Sequence, residues 1–293
     1  MSTIDLRLND NPWLTPSDGT FSLAAMPTRA GATDEKPSKK ALRRVVRRIS
    51  ESQRMLYAQN RFAVLLVFQA MDAAGKDSTI RNVLSGVNPA GCQVWSFKRP
   101  SSLELDHDFL WRTTLRLPER GRIGVFNRSQ YEEVLVVRVH PSILENQQLP
   151  VTPDLDTIWD DRLASIAEQE AHLARNGTVI LKFFLNVSRD EQKRRFLDRL
   201  EQPEKRWKFE PNDVRERQHW GEYMQAYEQA IAATSKPWAP WYCVPADDKG
   251  RMRIEVAEIV AQTLASLPLA FPQTGAADQE VHDAMHAQLL AEE

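Results

Sequence analysis

Only two of the 293 residues are cysteine, Cys92 and Cys243, and both stand in apolar surroundings. A pair so placed supplies neither a disulfide framework nor a thiolate cluster for zinc, and it suits a reducing cytoplasm. Long apolar runs are missing as well. No stretch approaches the ~18 residues that a membrane-spanning helix needs, and Met1 to Asn11 is too polar for a signal peptide. The expectation is therefore a cytoplasmic protein with no membrane attachment. Charge of one sign is also scarce: 38 Lys and Arg against 40 Asp and Glu leave a formal net charge of -2, which argues against a general nucleic-acid binder. Internal repeats, zinc-ligand spacings and a serine-histidine-aspartate order are absent. His282 and His286 have i, i+4 spacing but no carboxylates around them that would complete a metal site.

What is present suffices for one large domain with a full core, since 42% of the residues are hydrophobic and 27% charged. The chain is organised around Arg61 to Arg81. Phe62 to Phe68 is an unbroken apolar run rich in β-branched residues, the pattern of a central strand buried on both faces of a parallel sheet. It runs into Gln69-Ala-Met-Asp-Ala-Ala-Gly-Lys76, where small residues allow the backbone N–H groups of Ala73, Ala74, Gly75, Lys76, Asp77 and Ser78 to turn inward around an anion. A helix beginning near Lys76 adds its N-terminal amides and dipole at the same point.

This is the layout of a phosphate-binding P-loop, with departures. In the pattern GxxxxGK[ST] the first position is Gly and the residue after Lys is Ser or Thr; here Ala70 and Asp77 stand there. At this point a plain strand-turn-helix with Lys76 on the surface remains open beside the phosphate-binding reading. Asp72 favours the latter, because a carboxylate among phosphate-binding amides calls for a cation, which makes it a candidate metal ligand or a group that positions the nucleophile.

The remaining elements alternate. Residues 1–35 read as an N-terminal arm, either lying over the domain or partly mobile. From Pro37 a helix buries Leu42, Val45, Val46, Ile49 and Leu56 and carries Arg43, Arg44, Arg47 and Arg48 on its other side, either a solvated face or a contact for a polyanion or a second subunit. Cys92 to Phe97 is a second strand ending in Lys98 and Arg99, where a strand's C-terminal edge meets a ligand. Arg122 to Phe126 is a third. Asn127 follows at the position that reaches the metal in P-loop enzymes, and Arg128 beside it is either a group that stabilises charge on a transferring phosphoryl group or a structural ion-pair partner at a strand end. A helix over Leu155 to Arg175 precedes a fourth strand, Thr178 to Val187. Ser188 opens an arginine-rich helical hairpin over about 188–234, either a surface excursion or a lid that clamps phosphates. Trp241 to Pro245 is the last strand, followed by a helix over Ile254 to Leu267 and a polar tail, 271–293. Strands alternating with helices give the expected fold class, α/β with a parallel sheet and helices on both faces; on the P-loop and lid readings this is a three-layer P-loop kinase sandwich with an inserted helical lid.

QAMDAAGKDSTIR (Gln69 to Arg81), GVNPAG (Gly86 to Gly91), FNRSQYEEVLVVRV (Phe126 to Val139), ILKFFLNVSRDEQKRR (Ile180 to Arg195), PEKRWKF (Pro203 to Phe209) and YEQAIAATS to APWYCVPAD (Tyr227 to Asp247) together resemble the type 2 polyphosphate kinases. Within that family the loop and FNRS motifs are similar to the subgroup that phosphorylates both AMP and ADP from polyphosphate. The resemblance spans roughly residues 40 to 270 and makes 36–270 the phosphotransferase domain. It implies that Asp72 and Lys76 are essential, that Asn127 and Arg128 form the second motif, and that Arg194, Arg195 and Lys208 of the lid hold phosphates. It further implies nucleotide contacts from Arg128, Glu132 and Glu133, and Mg²⁺, with Mn²⁺ as a substitute, held by Asp72, Asn127 and Glu133. The partners it implies are inorganic polyphosphate, adenine nucleotides with guanine nucleotides as an alternative, and further copies of the chain in a dimer or tetramer. The subgroup often has His where Gln130 stands, Asp where Glu133 stands and Gly where Ser78 stands; the longer Glu133 bears on metal geometry and on the choice between AMP and ADP. Two other functions fit the same elements: an ATP-dependent nucleoside monophosphate kinase, which would normally keep the missing Gly and Ser/Thr, and a nucleotide-sensing module without turnover.

Overall fold

In the computed structural model, which describes residues 6, 11–31, 37–273 and 275–292, Ala63–Gln69 forms β1 and all seven of its residues are buried. An unbroken apolar run stays dry only if both faces of its sheet are covered. β1 is accordingly the middle of five parallel strands, with β2 (Cys92–Ser96), β3 (Ile123–Asn127), β4 (Thr178–Asn186) and β5 (Trp241–Pro245) in the order β2-β3-β1-β4-β5. The chain reaches β3 on one side of β1 and β4 on the other, so the sheet changes direction at β1, and ligands of open α/β sheets bind outside the strand ends at such a point. Register puts Phe68 beside Asn127 and Gln69 beside Phe184, which brings the C-terminal ends of β1, β3 and β4 together.

α1 (Lys39–Gln59) starts at Ser38, whose hydroxyl accepts from the Ala41 N–H, and stops at Asn60 in the left-handed conformation. It buries Val45, Val46, Ile49 and Leu56 and leaves Arg43, Arg44, Arg47 and Arg48 exposed, as its period predicts. α2 (Lys76–Val83) follows the loop. Three single turns, α3 (Ser102–Leu105), α4 (Trp111–Thr114) and α5 (Val136–Val139), precede α6 (Ile158–Arg175). The hairpin consists of α7 (Arg189–Glu201), α8 (Pro211–Glu216) and α9 (Trp220–Thr234), and the chain ends in α10 (Lys249–Ser266) and α11 (Ala276–Leu290). α1 and α2 both pack on α10, while α6 packs on α9 and β4.

Several boundaries differ from the sequence expectation for local reasons. The second hairpin helix, expected without a break to Thr234, is split by a 3-10 turn over Arg217–His219. α10 begins earlier than Ile254 because the Asp248 carboxylate accepts from the Gly250 and Arg251 N–H groups and caps it. The tail contains α11 where only a polar segment was expected. The N-terminal arm lies along β5: Cys243 N–H donates to the Trp13 carbonyl at 2.8 Å, Thr15 N–H to the Trp241 carbonyl at 3.0 Å, and Leu6, Trp13 and Phe21 are buried. Residues 1–5, 7–10 and 32–36 of the expected arm lie outside the described residues. Among the described residues no helix is long and apolar enough to cross a membrane.

Buried charge ties these layers together. The Lys182 ammonium, in the middle of β4, donates to Glu170 of α6, to the Thr234 carbonyl at 2.8 Å and to the Tyr131 hydroxyl at 3.1 Å. Tyr131 donates on to Glu170 at 2.9 Å. Burial pushes Lys182 down to about 8 and Glu170 up, each held back by the other's opposite charge. Tyr131 immediately precedes Glu132, so the network fixes the segment that carries part of the site described next.

Candidate active site

Gly75 caps α2 with φ +110°, a conformation that side chains other than glycine rarely adopt, and a Cβ there would meet Met252 Cε at 3.4 Å. Ala73 is also left-handed, with φ +60°. These two reversals, with the Ala74 N–H donating back to the Met71 carbonyl at 3.3 Å, fold the segment between β1 and α2 into a compact loop at the start of α2. The Ser78 hydroxyl closes the loop by donating to the Gly75 carbonyl at 2.9 Å. Lys76 folds back across it, with Nζ donating to the Ala70 carbonyl at 2.6 Å.

The end of β3 faces this loop. Arg128 has φ +63°, and its N–H donates to the Phe68 carbonyl at 3.1 Å, which turns its side chain toward the loop. A left-handed conformation in a residue with a side chain costs roughly 1–3 kcal/mol and is found preferentially at functional sites. The guanidinium donates to Asp72 at 2.8 Å and lies 3.7 Å from Glu132. Those carboxylates, Glu132 first, raise the Arg128 pKa above its ordinary value against the opposing effect of burial, so the group stays cationic throughout the physiological range. Burial lowers the pKa of Lys76, with Arg128 adding to the effect and Asp72 opposing it. Glu132 is raised by burial, against the pull of Arg128 and Lys76. The Asn127 amide donates to Asp77, fixing that carboxylate at the edge of the loop.

The structure thus brings together Asp72, the loop residues Ala73 to Ser78, Asn127, Arg128 and Glu132. It separates others. Glu133, expected at the metal and the nucleotide, is buried on the opposite side, where it accepts from Arg162 at 2.8 Å and Gln147 at 2.7 Å. The reason is local: Gln130–Val134 is a 3-10 helix, and with about three residues per turn adjacent side chains diverge by roughly 120°. Lys98 and Arg99 lie past the end of β2, exposed and two strands from β1. Arg194 is exposed and paired along its own helix, with Glu191 at 2.6 Å and Asp198 at 2.9 Å.

Arg195 differs most from the expectation that it binds phosphate. Its side chain is 3% exposed. Nε donates to Glu191 at 2.7 Å, Nη1 to the carbonyls of Ala73 at 3.1 Å and Ala74 at 2.6 Å, and Nη2 to those of Ala246 at 2.5 Å and Asp247 at 3.2 Å. A guanidinium has five N–H donors, and these contacts account for all of them. Arg195 is a strut that braces the outer side of the loop against the segment after β5. The Lys208 side chain lies outside the described residues.

Two residues beside the site were missed in the sequence. Gln192 Nε2 donates to the Asp72 carbonyl at 2.9 Å. Asp213 of α8 lies 3.4 Å from Arg199, and its pKa is pushed up to about 6, by burial first and then by the Asp72 charge. The usable signal was the period of α7: Gln192, Arg195 and Phe196, at i, i+3 and i+4, are its buried residues.

Among the described residues no group of three or more His, Cys, Asp or Glu side chains forms a metal cage. Asp72 and Asp77 nonetheless offer hard oxygen donors at the loop. That set fits Mg²⁺, which characteristically takes one or two carboxylates and completes its shell with water and substrate phosphates.

Residues 32–269 match the family model described as Polyphosphate kinase 2. A Rhodopseudomonas palustris protein named ADP-polyphosphate phosphotransferase is 56% identical over 85% of this chain and 86% of its own length. A Meiothermus ruber protein named AMP/ADP-polyphosphate phosphotransferase is 42% identical over 90% of this chain and 96% of its own. The crystal structure of Polyphosphate Kinase 2 from Arthrobacter aurescens TC1 superposes with a TM-score of 0.85 at 37% identity, covering 94% of this chain and 95% of that one. A family model spanning most of the sequence and relatives of this identity over nearly the whole length agree with the P-loop site just described: the chain belongs to the polyphosphate kinase 2 family.

Proposed function

We propose that this chain is a polyphosphate:nucleotide phosphotransferase that moves the terminal phosphoryl group of inorganic polyphosphate to ADP and to AMP, reversibly. The observation that carries the proposal is the convergence of Lys76 and Arg128 on one loop, flanking Asp72, in a chain whose relatives are named for this transfer. An oxygen of the acceptor's terminal phosphate, already ionised, attacks the last phosphorus of the donor. The bond to the next phosphate breaks, and the shortened chain leaves with the electron pair. No covalent protein intermediate is needed, so the protein's task is to hold two polyanions in line.

The amides of Ala73, Gly75 and Lys76 and the start of α2 receive donor oxygens, the Ala74 N–H being taken by the Met71 carbonyl. Burial and the neighbouring Arg128 disfavour the charge on Lys76, and the negative charge of a phosphate offsets both. Arg128 meets charge on the transferred group, while Asp72 and Glu132 orient it. Mg²⁺ held by Asp72 and Asp77 would neutralise phosphate charge, and Mn²⁺ would serve in its place. The α7 to α9 hairpin is the lid, and its Asp213 already stands within electrostatic reach of Asp72. Adenine nucleotides are the acceptors, with guanine nucleotides as an alternative, and the protein works in the cytoplasm as a homo-oligomer.

The test is purified protein with ADP, long-chain polyphosphate and Mg²⁺, without ATP, followed by chromatographic separation of nucleotides. ATP is the expected product, and AMP in place of ADP gives ADP. No polyphosphate-dependent product, together with transfer from ATP to AMP in the same preparation, would move the assignment to a monophosphate kinase; nucleotide binding with neither reaction would leave a sensing module.

A further inference from the structure

A cavity of about 430 Å³ opens between the N-terminus of α1, the far end of α2 and the start of α10. Lys39, Arg43 and Arg253 line it, with the polar side chains of Asn82 and Ser85, and no described Asp or Glu does so. The charged neighbours that act on Arg253 are Arg81 and Arg195, both cations, and its Nε is buried with no hydrogen-bond partner. Its helix neighbours are different. Arg48 of α1 pairs with Glu258 of α10 at 2.7 Å, and Arg251 with Glu255 at 2.5 Å. Glu258 and Glu255 are thus taken up outside the cavity, and among the described residues the three lining cations form no ion pair.

Like charges gathered without counterions oppose folding, and buried donors without acceptors add to that cost. An anion with several oxygens accounts for both. No aromatic side chain lines the cavity, so a nucleotide base has nothing to stack on. The cavity is also connected to the phosphate loop. α2 runs from one to the other, about 9 Å along its axis from Lys76 to Asn82. Lys249, pushed down to about 8 by burial and then by Arg195, with Glu191 opposing, adds a further cation at the start of α10.

We infer that this cavity is a second anion site, distinct from the transfer loop, that binds a phosphate oligomer through Lys39, Arg43 and Arg253. The inference rests on the polyphosphate transfer proposed above. The oligomer has two sources, the distal part of the donor chain or a separate short phosphate chain, and both present the same chemistry to the site.

The probes are tripolyphosphate and long-chain polyphosphate, applied to the full chain and to the double variant Arg43→Gln/Arg253→Gln, with Arg43→Lys/Arg253→Lys as the charge-preserving control. If the site holds the distal donor chain, the Gln variant raises KM for long-chain polyphosphate about tenfold, leaves KM for ADP and turnover with tripolyphosphate unchanged, and the Lys variant recovers most of the loss. If it holds a separate short chain, calorimetry shows the Gln variant losing one of the tripolyphosphate equivalents bound by the unmodified protein, with no change in long-chain KM. A Gln variant that matches the unmodified protein in both measurements overturns the inference. Calorimetry needs no turnover, so a protein that binds as described but makes no ATP would contradict the transfer reaction and leave the second site standing.

Discussion

Arg194 and Arg195 are consecutive, chemically identical and alike in the role the sequence suggests for them, yet the fold treats them as opposites. Arg194 is 59% exposed and joined only to carboxylates of its own helix; Arg195 is 3% exposed and holds four backbone carbonyls from two other segments. The same contrast runs through the whole site. On the loop side, Asp72, Lys76 and Arg128 are fixed by short contacts to the ends of β1 and β3, and on the hairpin side most cations face water or pair locally. Charge in this enzyme acts where the fold holds it, and a count of arginines along α7 does not show which ones those are.

The largest effects belong to the loop. Lys76→Ala and Asp72→Asn should each lower kcat/KM for polyphosphate-dependent ATP formation at least ~100-fold, because each removes a group that meets charge in the transition state. Unfolding midpoints should stay near the unmodified value. A rate within a fewfold of the unmodified enzyme would remove the residue concerned from the site.

Buried charge away from the chemistry should behave in the reverse way. Lys182→Met leaves Glu170 unpaired in the core and should cost about 3–5 kcal/mol in urea unfolding, whereas adding Glu170→Leu should restore most of it. If the single variant were as stable as the parent, the Lys182–Glu170–Tyr131 network would not be what joins α6, β4 and α9.

A smaller effect sharpens the comparison on the hairpin side. The Asp213 carboxyl titrates at about 6 in the folded protein, above its ordinary value of 3.8. The folded state therefore binds this proton more tightly than the unfolded chain, so the carboxylate opposes folding above pH 6, and the opposition fades as pH falls from 6 to below 4. Asp213→Asn should stabilise the protein at pH 7 by on the order of 1 kcal/mol, with the gain closing toward pH 4. A variant less stable than the parent at pH 7 would show that the contact with Arg199 outweighs burial.

Much of the fold was legible because its signals are collective. A run of seven apolar residues rich in β-branched and aromatic side chains and ended by a glycine loop reads as a covered strand, and β1, β3, β4 and β5 all lie where such runs predicted. The loop was legible from Gly75 and Lys76 despite Ala70 and Asp77 in place of the usual residues. The rest depended on orientation, which single residues do not announce. Glu132 and Glu133 read alike in the sequence, and a 3-10 turn sends one to Arg128 and the other to Arg162. Gln192 is an ordinary helix residue until α7 packs against the loop and its amide meets the Asp72 carbonyl. Arg195, expected at a phosphate, meets four backbone carbonyls in the structure, because a guanidinium suits a phosphate and a set of carbonyls equally well and only packing decides between them.

The central claim, that held charge and not nearby charge makes this site, is tested most directly by single-turnover ATP formation from ADP and polyphosphate in Arg194→Ala and Arg195→Ala, side by side. Arg194→Ala should keep the rate and the polyphosphate KM of the unmodified enzyme within about threefold, since its contacts are solvent-exposed. Arg195→Ala should lose at least about tenfold in rate, and Arg195→Lys should recover little of it, because an ammonium cannot span four carbonyls. The opposite order, with Arg194→Ala raising the polyphosphate KM and Arg195→Ala leaving the rate intact, would contradict the account.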